Sequence, residues 1–477
     1  QQTLRALIDW SYDLLDERER MVFRRLSIFV DGFTVEAVGP VVADADIDEF
    51  DAFELLASLV DKSLVLAEPV GDAMRYRMLE STSAYARERL IEAGERERIA
   101  ERHVHYVRDR FIAAAEAWNV SGRSSDVSGA LATELGNVRA ALDAALAGLD
   151  RVAGAETLAA IDHVWNDIGL EREGRMRTEA FLDRLGDDDA HVVARLSVVL
   201  ARSAGSFRQG SQAVEFARLA VERARSAGDA AMLNEALIVY SWNAAAAERF
   251  AESEAAMHEA EGIPVTSVRL RLSMLNTRAY LSYHASDFVT AAHLFGRLRD
   301  EHRALRNPSR EREAMLALAE VEYNLGHTQR AIDTVTEILR GVEKGRYRVF
   351  RGSLLSNLAG YMVSIEDCVG AAAAARDAIE ELGAHEPNSA SVINAMQHLA
   401  LTLALGSDTS RAATLAGYVE AASERFGYRR ELNELASRDR LVAVLQDKVG
   451  SDDLGRMLGE GAAMDSETAI EFALRAE

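Results

Sequence analysis

Six small residues, Ala213, Ser253, Ala291, Ala331, Ala371 and Ala412, recur at spacings of 40, 38, 40, 40 and 41 residues. Nothing else in the chain limits its fold so tightly. Twelve residues before each stands a second small residue, at Ala201, Ser241, Ala279, Ala319, Ala359 and Ala400, each preceded by a larger one. Small side chains at both positions let two antiparallel helices approach closely, and a fixed period of this length marks a solenoid of stacked helix pairs. One pair cannot bury its apolar face alone, so the array is expected to curve and to expose a concave surface. Pro264, Pro308 and Pro387 fall between the units, where a residue that cannot continue a helix belongs.

Composition agrees. Only 5 Pro occur in 477 residues, and Ala, Leu, Arg and Glu, which lose little entropy on entering a helix, dominate. LALAEVEYNLGHTQRAIDTVTEIL, residues 316 to 339, resembles a tetratricopeptide (TPR) repeat, with Gly326 at the turn and Ala331 on the second helix. SDFVTAAHLF, 286 to 295, repeats the turn, with Phe288 and Phe295 as packing aromatics.

The first hundred residues follow another plan. TLRALIDWSYDLL, 3 to 15, places Leu4, Leu7, Ile8, Trp10, Leu14 and Leu15 near one helical face, and Asp16 can cap the next helix, ERERMVFRRLSIF. After a DGF turn at Asp31 to Phe33, Thr34 can cap a third helix, and Phe50 to Val60 makes a fourth. Ser63 to Ala67 and Met74 to Met78 read as two strands joined through Pro69 and Gly71. Helices followed by a two-stranded wing make a winged-helix module. Modules of this kind often bind DNA through the helix before the wing. Here that segment carries Asp48, Glu49, Asp51, Glu54 and Asp61 and no Lys or Arg, and residues 1 to 102 hold 13 Lys plus Arg against 22 Asp plus Glu. A groove reader is basic on its contact face, so nucleic acid is not the expected partner.

TLRALIDWSYDLLDERERMVFRRLSIFVDGFT, LVDKSLVLAE and RYRMLESTSAYARERL, in that order, resemble the winged-helix domain that follows the nucleotide-binding core of bacterial STAND proteins. These are NB-ARC-type signalling ATPases that include LuxR- and AfsR-like regulators. The resemblance implies a latch: the domain folds back on a nucleotide-binding domain, absent from this chain, and helps hold ADP in the resting state. It implies ADP or ATP for that upstream domain and no cofactor here. The chain opens at Gln1 in what already reads as helix, so a fragment lacking its upstream part is expected. The family's Met-His-Asp motif falls on Met78, Leu79 and Glu80. Its His contacts the ADP phosphate, and Leu79 offers an anion no donor; Glu80 keeps the capacity to pair with a basic group on the missing domain. ELGNVRAALDAAL, 134 to 146, resembles the segment that begins the helical array in such regulators, Trp165 to Leu185 a degenerate capping repeat, and LGEGAAMDSETAIEFALRAE the closing helical tail. In some relatives a LuxR-type helix-turn-helix follows.

Catalytic chemistry is missing from the pattern. A P-loop ends in Gly-Lys-Ser/Thr, and Lys62, Lys344 and Lys448 all follow acidic residues. Neither HExxH nor GxSxG occurs, and His103 and His105, two apart, point to different helical faces, so no catalytic residue or metal set is expected. The lone Cys368 reads as a small buried residue. With no intrachain disulfide, no leader pattern and no run near the roughly 18 apolar residues a membrane span requires, a cytoplasmic location is expected. The net charge of −23 argues against a surface that follows phosphate everywhere. Residues 297 to 351 reverse the sign locally, with 12 Lys plus Arg against 9 Asp plus Glu. Arg346, Tyr347, Arg348 and Arg351, at the end of that stretch, are the candidate sensor surface for an acidic ligand or partner.

The expected organisation is a mainly α chain: a winged helix over 1–102, connecting helices and degenerate capping repeats over 103–194, a TPR-like α-solenoid of about six repeats over 195–450, and a helical tail over 451–477. Its expected role is the non-catalytic regulatory half of a STAND-type signal-transduction ATPase or transcriptional regulator. The winged helix would latch an intramolecular nucleotide-binding domain, and the repeats would bind a protein or small-molecule effector. The alternatives are a constitutive TPR scaffold with a structural winged helix, and a DNA-binding regulator working through the wing.

Overall fold

The computed structural model describes residues 2–70, 73–122, 125–162, 164–186, 189–206, 210–342, 348–428 and 430–475. The chain divides into two compact units, residues 1–277 and 278–477.

The first unit opens with α1 (Gln2–Asp13) and α2 (Glu17–Leu26). Asp16 sets the break between them. Its carboxylate accepts from the Glu19 amide at 2.9 Å while Glu19 accepts from the Asp16 amide at 3.1 Å, a reciprocal cap that satisfies two donors with no helical partner. The single apolar face expected for α1 is corrected. Ile8 and Leu15 are buried, whereas Leu7, Trp10 and Leu14 are 56%, 63% and 64% exposed. At 3.6 residues per turn these sets lie on two stripes about 100° apart, and only one stripe meets the core.

There follow β1 (Phe33–Thr34), a 3-10 turn (Val35–Ala37), α3 (Val38–Val42), α4 (Glu49–Asp61), β2 (Leu66–Val70), β3 (Ala73–Arg77) and α5 (Glu80–Glu92). The strands pair antiparallel in the order β1-β3-β2, with Phe33 opposite Tyr76 and Leu66 opposite Arg77. The wing therefore starts later than expected and gains a third strand from the DGF turn. The delay has a backbone cause. Ser63 takes φ 58, and the amides of Ser63, Leu64 and Val65 bond back to the carbonyls of Val60 and Leu59, which holds these residues to the end of α4. Gly32, at φ 90, admits β1, because a Cβ there would overlap the Tyr76 carbonyl. Thr34 precedes the 3-10 turn without a side-chain capping bond. Phe29 stacks on Phe33 (ring centroids 4.6 Å) and Phe33 on Tyr76 (5.8 Å), joining helices and sheet in one core.

The helices α6 (Arg96–Ser121), α7 (Ser125–Leu146), α8 (Arg151–Ile161), α9 (Val164–Asp167) and α10 (Glu171–Leu182) build a second core around Phe111, Leu142, Leu158, Trp165 and Phe181. Helix pairs come next: α11 (Ala190–Ser206) with α12 (Gly210–Ala227), and α13 (Ala230–Ala246) with α14 (Phe250–Glu261). α15 (Val268–His284) runs across the division and is followed by α16 (Phe288–Ala304), then α17 (Pro308–Asn324) and α18 (Thr328–Arg340), α19 (Arg348–Ser364) and α20 (Cys368–Gly383), and α21 (Ala390–Leu405) and α22 (Thr409–Phe426). α23 (Leu432–Lys448), α24 (Ser451–Ala462) and α25 (Ser466–Leu474) close the chain.

Each periodic small residue lies three positions into the second helix of its pair, and all six are buried, as are the six that precede them by twelve. Where both are serine, Ser241 and Ser253 hydrogen-bond across the pair at 3.0 Å. Five residues before four of these anchors the chain takes a left-handed step, at Glu248, Ser286, Gly326 and Glu366, with φ between 60 and 83°. The repeat is thus a backbone rhythm, and only one of the four steps uses the residue that adopts it freely. Cys368 begins α20 half-buried rather than buried, because Asp367 caps that helix and places the next side chain near its rim. Among the described residues no helix is long and apolar enough to cross a membrane.

Candidate functional site

The segment 30–34 of the N-terminal module is held from outside. Asn137 on α7 accepts from the Val30 amide at 2.7 Å and donates to the Gly32 carbonyl at 2.8 Å. Arg75 on β3 reaches the Asp31 and Gly32 carbonyls, both at 3.1 Å, and pairs with Glu134 at 2.8 Å. Glu134 and Asn137 are 5% and 2% exposed, so these bonds form away from competing water. The ELGNVR segment, read only as the start of a helical array, is therefore also the clamp on the sheet. A Cβ on its Gly136 would overlap the Asp31 carboxylate. His103 lies beside this clamp, edge-on to Phe29, and full burial lowers its pKa to about 4.

What the clamp leaves exposed is the face of α4 and the wing. Phe50 and Phe53 are 69% and 37% exposed, and Val70 and Met74 at the wing tip 49% and 44%. Glu49, Glu54 and Asp61 share the exposed surface of α4. Cations adjoin this face, yet each is engaged: Arg18 by Asp51, Lys62 by Glu19, Arg77 by Glu68 at 2.6 Å, and Arg75 by the clamp. The surface is apolar and acidic, with its neighbouring positive charge already neutralised.

The latch candidates lie at the start of α5. Met78 is half-buried and packs on the module's core. Leu79 occupies the N-cap position, 49% exposed and without a capping side chain, and Glu80 is exposed in the first turn. The sensor candidates are scattered differently. Arg346 and Tyr347 lie outside the described residues, and so does the Arg348 side chain. Arg351 is described: its guanidinium pairs with Glu381 at 2.9 Å and donates to the Leu339 and Val342 carbonyls. It ties α19 to α20 and to the end of α18.

The second unit holds a buried carboxylate that the pattern did not single out. Glu320 on α17 is 8% exposed and accepts from Tyr361 at 2.5 Å and Tyr283 at 3.4 Å. Burial, reinforced by the charge of Glu431, raises its pKa to about 8. A tyrosine thirty-seven residues before the carboxylate and one forty-one after it are the trace this cluster leaves in the sequence, one repeat away on either side. Among the described residues no group of His, Cys, Asp and Glu is placed to hold a metal.

Residues 15–91 match the family model of the winged helix-turn-helix domain. These residues form a winged helix. A protein designated an HTH-type transcriptional regulator in Mycobacterium tuberculosis is 34% identical over 271 residues, covering 53% of this chain and 30% of its own, and its Mycobacterium bovis counterpart matches equally. An uncharacterised Mycobacterium tuberculosis protein is 36% identical over 104 residues, 22% of this chain and 26% of its own. The chain thus matches less than a third of the length of these curated relatives. Among solved structures, a signal transduction ATPase with numerous domains (STAND) and a tetratricopeptide repeat sensor, from Pyrococcus horikoshii, aligns with 96% of this chain and 65% of its own at 14% identity and a TM-score of 0.44. The apo quorum sensor NprR from B. thuringiensis aligns with 63% of this chain and 83% of its own at 12% identity and a TM-score of 0.46. The described residues thus form a winged helix followed by a series of helix pairs.

Proposed function

We propose that this chain is the regulatory half of a STAND-type signalling protein, whose winged helix docks on a nucleotide-binding domain and whose TPR-like pairs bind an effector or protein partner. The observation that carries this reading is the exposed face of α4 and the wing. A groove reader presents free Lys and Arg to phosphate. This face presents Phe50, Phe53, Val70 and Met74 among carboxylates, with its nearby cations engaged in ion pairs, which suits a protein surface with apolar pockets and basic rims. Exposed aromatic side chains of this kind contribute most when a partner desolvates them. The effector acts on the latch through its differential affinity for the docked and undocked states.

The test is ADP release from the full-length protein. Phe50→Ser with Phe53→Ser removes two apolar anchors without touching the core, and ADP dissociation should accelerate at least about tenfold, the equivalent of 1.4 kcal/mol of docking energy. Unchanged ADP release in a folded double variant would remove this face from the latch.

A further inference from the structure

In the first unit, α6, α8, α11, α13 and the start of α15 surround a cavity of about 290 Å³. At roughly 30 Å³ per water it has the volume of about ten waters, enough for an amino acid or a small dipeptide. Its apolar lining includes Ile112, Ala160, Val192 and Val199. One wall is an ion-pair network. Arg202 pairs with Asp162 at 3.0 Å and with Glu235, and Arg269 joins two guanidinium nitrogens to the two oxygens of Glu235 at 2.7 and 2.9 Å. Arg269 also donates to the Asn119 side chain at 2.7 Å and lies 5.0 Å from the Trp118 ring centroid. Two arginines and two carboxylates cancel, so this wall is rigid and carries no spare charge for a ligand.

Of the other titratable groups in the lining, Glu156 on α8 lies 3.9 Å from Arg108 and His191 on α11 lies 3.2 Å from Asp229. Glu116 on α6 and Arg195 on α11 line the same cavity, are exposed, and form no ion pair with each other or with any described residue. We propose that this cavity binds a small zwitterion of amino-acid or dipeptide size, its carboxylate on Arg195, its ammonium on Glu116 and its apolar side chain against Ile112, Val192 and Val199. A guanidinium matches a carboxylate with two parallel N–H donors, and a carboxylate accepts from an ammonium. A ligand with both charges satisfies both rim groups, whereas a simple anion leaves Glu116 opposing it. The site is independent of the latch reading, since it lies outside the winged helix and involves no nucleotide.

Calorimetry on the whole chain with L-leucine, L-phenylalanine and glycyl-L-leucine tests it. At least one should bind one-to-one, and Arg195→Gln and Glu116→Gln should each weaken that probe at least about tenfold, the loss of one charged hydrogen bond. Both residues are exposed, so both variants should unfold at the wild-type temperature. Should either lose its fold, two leucine analogues on the wild-type chain carry the test: isocaproate, which lacks the amine, and isoamylamine, which lacks the carboxylate, should each bind at least about tenfold more weakly than leucine. No saturable binding by any of the three probes would overturn the proposal. Isocaproate binding as tightly as leucine would overturn it in favour of a plain anion site, and binding unaffected in both folded variants would place the ligand elsewhere.

Discussion

Glu320→Gln should make the second unit more stable at pH 8 than at pH 5 relative to wild type. Glu320 is 8% exposed, and its carboxyl faces Tyr283 and Tyr361 with Glu431 and Glu434 nearby. Its folded pKa is about 8 against 4.5 for the free side chain. An acid whose pKa is raised on folding contributes stability below 4.5, and that contribution is lost as pH rises toward 8, because the unfolded chain ionises and the folded one must hold the proton. At 1.36 kcal/mol per unit the loss between pH 5 and pH 8 is roughly 3 kcal/mol. Glutamine keeps the shape and an acceptor for Tyr361 while removing the ionisation. The two chains should match at pH 5 and diverge by roughly 3 kcal/mol at pH 8. Native-state hydrogen exchange of the α17 and α19 amides reads this directly, and it suits the region because all four tryptophans, at 10, 118, 165 and 242, lie in the other unit. Parallel pH profiles for the two chains would mean that Glu320 ionises in the folded unit as readily as in the unfolded chain.

His103 has the opposite sign: its folded pKa of about 4 lies below the usual 6.5, so stability held above pH 6.5 is lost as pH falls toward 4, and His103→Gln should remove about 3 kcal/mol of that acid sensitivity in tryptophan-monitored urea unfolding. Ser286→Gly and Glu366→Gly relieve left-handed steps at φ 60 and 65° and should leave the second unit as stable as wild type or up to about 1 kcal/mol more so by the same hydrogen-exchange measurement; a loss of more than that would show the steps unstrained. Gly461→Ala drives a Cβ into the Thr414 carbonyl where α24 crosses α22, and should cost about 3 kcal/mol in exchange of the α22 amides. A fluorescent random duplex titrated with the chain at physiological salt should show no binding tighter than about 1 μM; tighter, salt-sensitive binding would revive the DNA-reading wing.

The helix pairs were legible because packing acts on small residues at fixed spacing: Ala201 with Ala213, and each counterpart, must be small wherever two helices touch. The winged helix was legible from short amphipathic helices followed by two strand-like runs joined through Pro69 and Gly71. Its third strand was not, since Phe33–Thr34 is two residues long and depends on Gly32 and on Asn137, more than a hundred positions away. The face of α1 was misread because two apolar stripes satisfy a helical period equally, and only the tertiary core chooses between them. The left-handed steps at Glu248 and Glu366 have no glycine to mark them, and the turn read at 286 to 295 did not reveal that Ser286 itself takes one. The cavity rim was invisible for a related reason: Glu116 and Arg195 are ordinary surface residues until α6 and α11 bring them to one opening.

Whether α4 and the wing meet protein can be read by hydrogen–deuterium exchange on the full-length protein, compared between its ADP-bound and activated states. Amides in 49–62 and 66–77 should be protected with ADP and released on activation, while those of α7 that clamp the wing stay unchanged. Equal exchange of 49–62 in both states, or protection there only on adding duplex DNA, would rule out a protein partner for this face.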